Sequence, residues 1–578
     1  IYFIFMKPAH EYLAGSVIIA AFIALALTSA ARKSATVDEF AHLPAGLYAL
    51  RTGDFSLYGK TPPVGRMIAV LPALALGPRM PDLSRVPESS WRPWIYGTAF
   101  MRVNGAAYGR VLFAARLMAV LAGAVVCLLV WLYSRRLWGG PGGLISLIAC
   151  ALSPTLIAHS RLVTVDVMAA LFTLLFVLAL LSFLKRPSAL RSAIMGAALG
   201  LAVLCKFTLL FFAPFALLAP VAAYSINHSR RGPHILGYSV AAHTGTVIIA
   251  GWLALTAGYL GKDVGLHRDA VFASKDMQIL APALHLAPLP AEFLAGLDAQ
   301  LFDAESGEFL QGNYLLGRWY TGSRWYYFPA AILFKQPVYA LALFLFAAAL
   351  TLRRRPWGEE ALLLFMAGAY FLFACFFGSL QIGVRHLLPV FPLGFIIMGR
   401  LGPPAFPEGP PPGDGDEAAP VQGKRGPRRA LRLVLGLALA WAMIDQVMIW
   451  PDYLAYFSPL AGGPANGYKT LLDSNLDWGQ DLPGLKKWMD QNNVPRVDLM
   501  YFGHDDPARF NIAYDLPSAS SPNKYLAVSA DYLMGMMYPM TYNPQGREQM
   551  EALLKRVENY RTRKPAAMIG YSILVYNK

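Results

Sequence analysis

The stretch from Leu13 to Ala31 contains no charged residue, and it is the first of many such runs. Segments of about 17–25 apolar residues match the thickness of a bilayer core when helical. Eleven such segments are expected as membrane spans, near 12–31, 111–133, 141–158, 166–184, 190–205, 207–225, 235–258, 327–351, 359–377, 385–400 and 430–450. With 56% hydrophobic and 15% charged residues over 578 positions, the chain is a polytopic α-helical membrane protein carrying some soluble mass. The net charge of +15 does not argue for nucleic acid. Much of the Lys and Arg lies in short clusters between apolar runs: Arg135-Arg136, Lys185-Arg186 with Arg191, Arg230-Arg231, Arg353 to Arg355, and Lys424 to Arg432. All five fall on one side if the N-terminus is cytoplasmic, the distribution the positive-inside rule requires. This places the chain in the cytoplasmic membrane with loops 32–110 and 259–326 outside, together with everything after Pro451. The first apolar run is long and lacks a clear cleavage site, so it reads as a retained helix.

Between the spans the chain is uneven. Val64 to Leu76 is apolar but too short to cross, and is expected along the interface or re-entering it. Trp91, Trp94 and Tyr96 suit headgroup level. Residues 401–429 are rich in Pro and Gly without apolar periodicity, the pattern of a disordered cytoplasmic linker. From Pro451 to the C-terminus a soluble extracytoplasmic α/β domain is expected. It has helices at 482–491 and 547–560, and strands at 497–502, 525–529 and 567–576. Asn227-His228-Ser229 matches a glycosylation sequon on the cytoplasmic side. The four cysteines lie within apolar runs and read as small hydrophobes.

Ionisable groups at the ends of spans carry a desolvation cost and invite a functional reading. Asp38 and Glu39 follow the first span. His159, Arg161 and Asp166 sit between the third and fourth, Lys206 between the fifth and sixth. Lys335 lies within the eighth, and Arg385 with His386 opens the tenth. All come to the outer face under the topology above. There they form a set able to hold a phosphate-bearing lipid beside a proton acceptor. Plainer roles compete: Asp38 and Glu39 as solvated loop acids, Asp166 as a helix cap, Arg161 as a snorkelling anchor. Lys206, Lys335 and Arg385 could be register-fixing ion pairs, and the histidines hydrogen-bonded structural groups. Asp445 and His243, deep in spans, suggest no role. Asp473, Asn475 and Asp477 are spaced somewhat like a calcium loop, but the glycine and terminal glutamate of such a loop are out of register. A hydrogen-bonded turn, or a lid over the membrane site, fits that stretch as well.

These blocks resemble the GT-C superfamily of membrane glycosyltransferases, in particular bacterial members similar to protein O-mannosyltransferases and lipid A aminoarabinose transferases. The resemblance rests on Asp38-Glu39 with His42, Gly46, Gly53-Asp54, Pro62-Pro63 and Arg66; on Ser153-Pro154, His159, Arg161 to Thr164 and Asp166; and on Lys206. It continues in Tyr327-Phe328-Pro329, Lys335 with Pro337, Gly383 to Pro389, Leu472 to Leu482 and Tyr501-Phe502-Gly503. Thr61, with Lys60 before it, stands where many relatives have histidine ahead of the paired prolines, and Gln336 stands where many have threonine.

The resemblance implies an inverting transfer of a sugar from a polyprenyl-phosphate donor to a hydroxyl on a protein, lipid or glycan acceptor. It implies Asp38 as base and Glu39 positioning the acceptor. Lys206, Arg385, His386, Lys335 and Arg161 are implied for the donor phosphate, and His42, Asp54, Asp166 and His159 for acceptor or sugar. No cofactor beyond the lipid-linked donor is called for. A divalent metal is compatible with the chemistry, but no ligand spacing supports one. The competing class is a secondary transporter or flippase of envelope precursors, for which intramembrane charges are also expected. A non-catalytic scaffold is a third, and it would leave the acidic pair without a task.

Overall fold

A computed structural model gives the fold and describes residues 8–227, 233–306, 312–353, 358–402, 425–537 and 546–578. The linker expected at 401–429 lies mostly outside the described residues, as do His228-Ser229 of the sequon and Arg230-Arg231.

Helix α1 (Pro8–Ala30) leads through a short loop to α2 (Val37–Thr52). After several short helices comes α3 (Tyr108–Ala151), 44 residues long. It is two expected spans folded back on each other, since the Ser134 and Ser146 hydroxyls meet at 2.6 Å and the Cys127 and Cys150 sulfurs at 3.7 Å. The reversal falls at Gly139 (φ 74°, ψ −178°), two residues before Pro141, whose ring cannot continue a regular helix. Pro154 restarts the chain as the short α4 (Pro154–Ser160), where the Ser153 hydroxyl accepts the Leu156 N–H at 3.3 Å. There follow α5 (Asp166–Lys185), α6 (Ala189–Val203), α7 (Ala213–Asn227) and α8 (Pro233–Gly258). Next come α9 (Tyr327–Lys335), α10 (Val338–Arg353), α11 (Glu359–Phe377), α12 (Phe391–Met398) and α13 (Arg425–Ile449). Between α9 and α10 the chain turns through 118° at Gln336-Pro337.

Among the described residues seven helices are long and apolar enough to span a membrane, or eight if the bent α9–α10 pair is one span, rather than eleven. The two halves of α3 enter that count as one, though they fold back on each other as the two spans expected there, and α6 has 15 residues, short of a bilayer crossing. The apolar part of α13, Leu433–Ile449, is short as well.

One end of the bundle is tied by ion pairs. Arg135 Nε meets Glu11 Oε1 at 2.7 Å, and Arg136 meets Glu359 at 3.1 Å. Glu359 also takes the Lys185 ammonium, and Arg400 lies 4.0 Å from Glu360. The ends of α1, α5, α11 and the first half of α3 thus meet there, as the alternation of basic loops requires.

After α13 the chain does not leave the bundle at once. Residues 452–481 form short 3₁₀ turns packed against the membrane helices, and Tyr453, Leu454, Phe457 and Trp478 join the same hydrophobic core as Phe22, Leu147 and Leu388. Only then comes the α/β unit: α14 (Leu482–Gln491), β1 (Val497–Met500), β2 (Tyr514–Asp515), β3 (Tyr525–Ser529), α15 (Arg547–Glu558), β4 (Ala567–Ile569) and β5 (Ile573–Asn577). The sheet order is β2-β1-β3-β5-β4, with β1 parallel to β2 and β3 and the other pairs antiparallel. Leu485, Leu499, Ala527 and Val575 fill its core. The final expected strand is a hairpin, reversed at Gly570 and Tyr571, both at positive φ.

The first long loop is also packed inward. Trp94 and Tyr96 are buried, with Trp94 Nε1 donating to Val37 O at 3.1 Å and the Tyr96 hydroxyl to Pro81 O at 2.9 Å. They brace α2 rather than a headgroup layer.

Candidate active site

The N-terminus of α2 is where the site begins. Val37 N, an orphan donor of the first turn, bonds Trp478 O at 3.0 Å, and Ser34 N bonds Gln480 O at 3.0 Å. The tail therefore fixes where the helix starts. Asp38, in that first turn, has a carboxylate favoured by the helix dipole. Arg385 Nη1 donates to Asp38 Oδ2 at 2.7 Å and stands 3.6 Å from Asp166 Oδ2; Lys206 Nζ donates to Asp166 Oδ1 at 3.0 Å. Acid and base alternate as Asp38–Arg385–Asp166–Lys206, contributed by α2, the start of the Val384–Val390 turn, α5 and the break after α6. Asp166 does not cap its helix; Val165 holds the cap position and the Asp166 carboxylate is turned to the lysine.

Several polar atoms around this row are buried without a hydrogen-bond partner among the described residues: His42 Nδ1, His159 Nδ1, His386 Nε2, Arg385 Nε and Asp166 Oδ2. Folded proteins seldom leave such atoms unsatisfied, so the arrangement suits a polar ligand. Burial pushes the His42 imidazole down to about 4 and His159 to about 3, against the pull of Asp38 and Asp166 respectively, so both rings are neutral near pH 7. His504, buried against Phe40 and Trp94, is pushed down to about 3 by burial. A histidine whose folded pKa lies below its ordinary 6.5 adds stability above that pH and loses it as the pH falls through the lowered value. The thermal unfolding midpoint of the purified protein should therefore drop as the pH is lowered from about 6.5 to 4. A midpoint constant over that interval would contradict these assignments.

Other expected site residues are elsewhere or already engaged. Glu39 does not face this row. Arg116 Nε and Nη2 grip its carboxylate at 2.8 and 2.6 Å, Val163 N donates at 3.0 Å and Thr36 N at 2.9 Å, and it is wholly buried. Burial would raise its pKa, but the Arg116 guanidinium holds the carboxyl below its usual value. Consecutive helix positions point about 100° apart, so Asp38 and Glu39 serve different surroundings. Lys335 donates to Leu454 O (2.8 Å), Tyr456 O (2.6 Å) and Asn475 O (2.5 Å), which consumes its three N–H groups, and it lies 4.3 Å from the centre of the Phe457 ring. It ties the tail to the bundle and has no proton left for a phosphate. Arg161 is fully buried in the electrostatic neighbourhood of Arg116, Glu39, Asp481 and Asp452 as well as His159, and its Nε, Nη1 and Nη2 have no hydrogen-bond partner among the described residues. Asp54 follows the far end of α2, roughly 24 Å from Asp38 by helical rise. There it accepts from the Tyr48 hydroxyl and Ser56 N in an open surface pocket.

Asn475 and Asp477 do not converge as calcium ligands: Asn475 Oδ1 accepts Val384 N at 3.0 Å and Asp477 Oδ1 accepts Gly479 N at 3.2 Å. Asp445 accepts the Tyr456 hydroxyl at 2.9 Å, and His243 pairs with Ser192 at 2.9 Å.

Sequence reading missed Arg116, although a lone arginine inside an apolar run is a signal in itself. It also missed Trp478, over whose ring the Arg385 guanidinium lies at 4.3 Å, and Tyr58, which burial and Asp38 raise to about 12. A separate apolar cavity of about 220 Å³ lies between α3, α10, α12 and α13. Its polar end is at Ser153 and Gln336, and none of the four charged residues of the row lines it.

Residues 94–253 match the family described as dolichyl-phosphate-mannose-protein mannosyltransferase. Among solved structures, ArnT from Cupriavidus metallidurans bound to undecaprenyl phosphate shares 13% identity, each chain covered over 97%, with a TM-score of 0.46. The oligosaccharyltransferase AglB from Archaeoglobus fulgidus, in complex with an inhibitory peptide and a dolichol phosphate, shares 12% identity over 89% of this chain and 70% of its own, with a TM-score of 0.37. No curated protein matches the sequence.

Proposed function

We propose that the chain is an inverting glycosyltransferase that moves a sugar from a polyprenyl phosphate to an acceptor hydroxyl at the outer face of the cytoplasmic membrane. The observation that carries this is the Asp38–Arg385–Asp166–Lys206 row beside buried polar atoms with no partner. The match of residues 94–253 to the mannosyltransferase family supports it. Asp38 removes the acceptor proton as the new C–O bond forms at the anomeric carbon and the bond to phosphate breaks on the opposite face. The transition state resembles an oxocarbenium ion. Negative charge grows on the departing phosphate, and preorganised donors stabilise it there. Arg385 retains an unengaged Nε, and Lys206 has N–H groups beyond the one given to Asp166. Both suit that phosphate, with His386 beside them. The acceptor is a protein, lipid or glycan. Incubating membranes that contain the protein with labelled polyprenyl-phosphate sugars, and identifying the labelled product, tests the reading. Absence of transfer from every such donor would end it.

Arg385→Lys tests the phosphate role. Lysine cannot offer the planar fork or keep the stacked contact with Trp478. The substitution should lower kcat/KM for the donor by about 10- to 100-fold, the worth of a charge-assisted hydrogen bond. Unchanged donor kinetics would remove Arg385 from the site.

A further inference from the structure

The tail does more than pack on the bundle, because it brings a third carboxylate to the neighbourhood of the row. Ser474 Oγ donates to Ile382 O at 2.8 Å and Asn475 Oδ1 accepts Val384 N at 3.0 Å, so residues 474–475 are stitched to the backbone immediately before Arg385. A Cβ on Gly383 would overlap the Ser474 hydroxyl, so the two strands of chain approach as closely as glycine permits. Three residues on, Trp478 O holds the start of α2. Asp473 is thereby fixed between the two carriers of the site, partly exposed, and in electrostatic reach of Arg385 and Asp38. Its own backbone is left-handed (φ 55°), held by Asp473 N donating to Asp531 Oδ1 at 2.9 Å and by Ser474 N donating to Asp473 Oδ1 at 2.5 Å.

The carboxylates near the row separate by role. Asp38 is engaged by Arg385 and Asp166 by Lys206. Asp473 is the one of the three that forms no ion pair among the described residues, so no cation competes for it when a neutral hydroxyl approaches. Burial raises its carboxyl to about 6 against the pull of Arg385. A group that exchanges readily between acceptor and donor near neutral pH suits a hydroxyl-bearing ring better than a phosphate.

We propose that Asp473 binds the hydroxyl groups of the sugar on the lipid-linked donor, making the C-terminal tail the part of the chain that distinguishes a sugar-bearing polyprenyl phosphate from the bare lipid phosphate. This rests on the function proposed above. Glycosyl transfer consumes the first lipid and releases the second, so a residue that reads the sugar favours product release.

The test compares the affinity of the purified full-length protein for undecaprenyl phosphate and for undecaprenyl-phosphate mannose, with undecaprenyl-phosphate glucose as a second sugar. Asp473→Asn keeps a side chain that tolerates the left-handed backbone, and Asp473→Gly fits it without strain. Wild type should bind at least one sugar-bearing lipid more tightly than undecaprenyl phosphate. Both variants should lose that preference by about tenfold while binding undecaprenyl phosphate and unfolding thermally like wild type. An equal loss for both lipids, a parallel loss of thermal stability, or an unaltered preference would each overturn the proposal. Wild-type protein that binds none of these lipids would instead bring down the donor assignment on which it rests.

Discussion

Asp38→Asn is expected to reduce sugar transfer by about 10²- to 10⁴-fold, the usual worth of a placed general base. The protein should still reach the membrane and unfold at a similar temperature. The amide keeps an oxygen for Arg385 Nη1, which now donates to Asp38 at 2.7 Å, so the geometry of the row survives while the proton acceptor does not. The side chain is only 17% exposed, enough for an acceptor hydroxyl to reach it but not for bulk water to replace it. The measurement is turnover of purified variant and wild type with a donor that supports transfer, beside thermal melts in the same detergent. Wild-type turnover by Asp38→Asn would remove the base assignment. Lost turnover with lost stability would show that the charge matters to the fold instead.

The neighbouring acid should behave in the opposite way. Arg116→Met would leave the Glu39 carboxylate buried without a cation. It would also strip the guanidinium bonds to Ala30 O, Lys33 O and Ser34 O at 2.8, 3.0 and 2.8 Å. Breaking a buried pair from one side costs about 3–5 kcal/mol. That loss should appear as a markedly lower unfolding midpoint, and activity should fall only as the folded fraction falls. Adding Glu39→Gln removes the stranded charge and should recover part of the loss. If Glu39 contacted substrate, Glu39→Gln alone would abolish turnover at unaltered stability, and that outcome would restore it to the site.

These two residues show what a sequence can and cannot disclose. That ionisable groups at the ends of apolar runs would gather at one end of the bundle followed from counting spans and basic loops, and Asp38, Asp166, Lys206 and Arg385 do meet. Placing Asp38 and Glu39 together in the site overlooked the helical screw, which was readable from their adjacency alone. Lys335 is another matter. Its acceptors are backbone carbonyls more than a hundred residues away, and a carbonyl carries no mark of side-chain identity. The strands and helices of the tail were legible from their periodicity. The turns of residues 452–481 were not, because their regularity comes from what they pack on rather than from a repeat of their own.

The three-carbonyl grip on Lys335 also limits where this polypeptide could be respliced. A hybrid joined at Pro451 would discard Leu454, Tyr456 and Asn475, stranding an ammonium in an apolar interior, along with Asp452 and Asp481, which hold Lys33. A seam at Leu482 would keep those anchors but cut others, since Ala35 N donates to Asp505 Oδ2 at 3.2 Å, Trp319 Nε1 to Met534 O at 2.8 Å and Asp473 N to Asp531 Oδ1 at 2.9 Å. No cut between Pro451 and Met534 spares them all, and a later one would divide the sheet, so the tail is inherited whole with the membrane part.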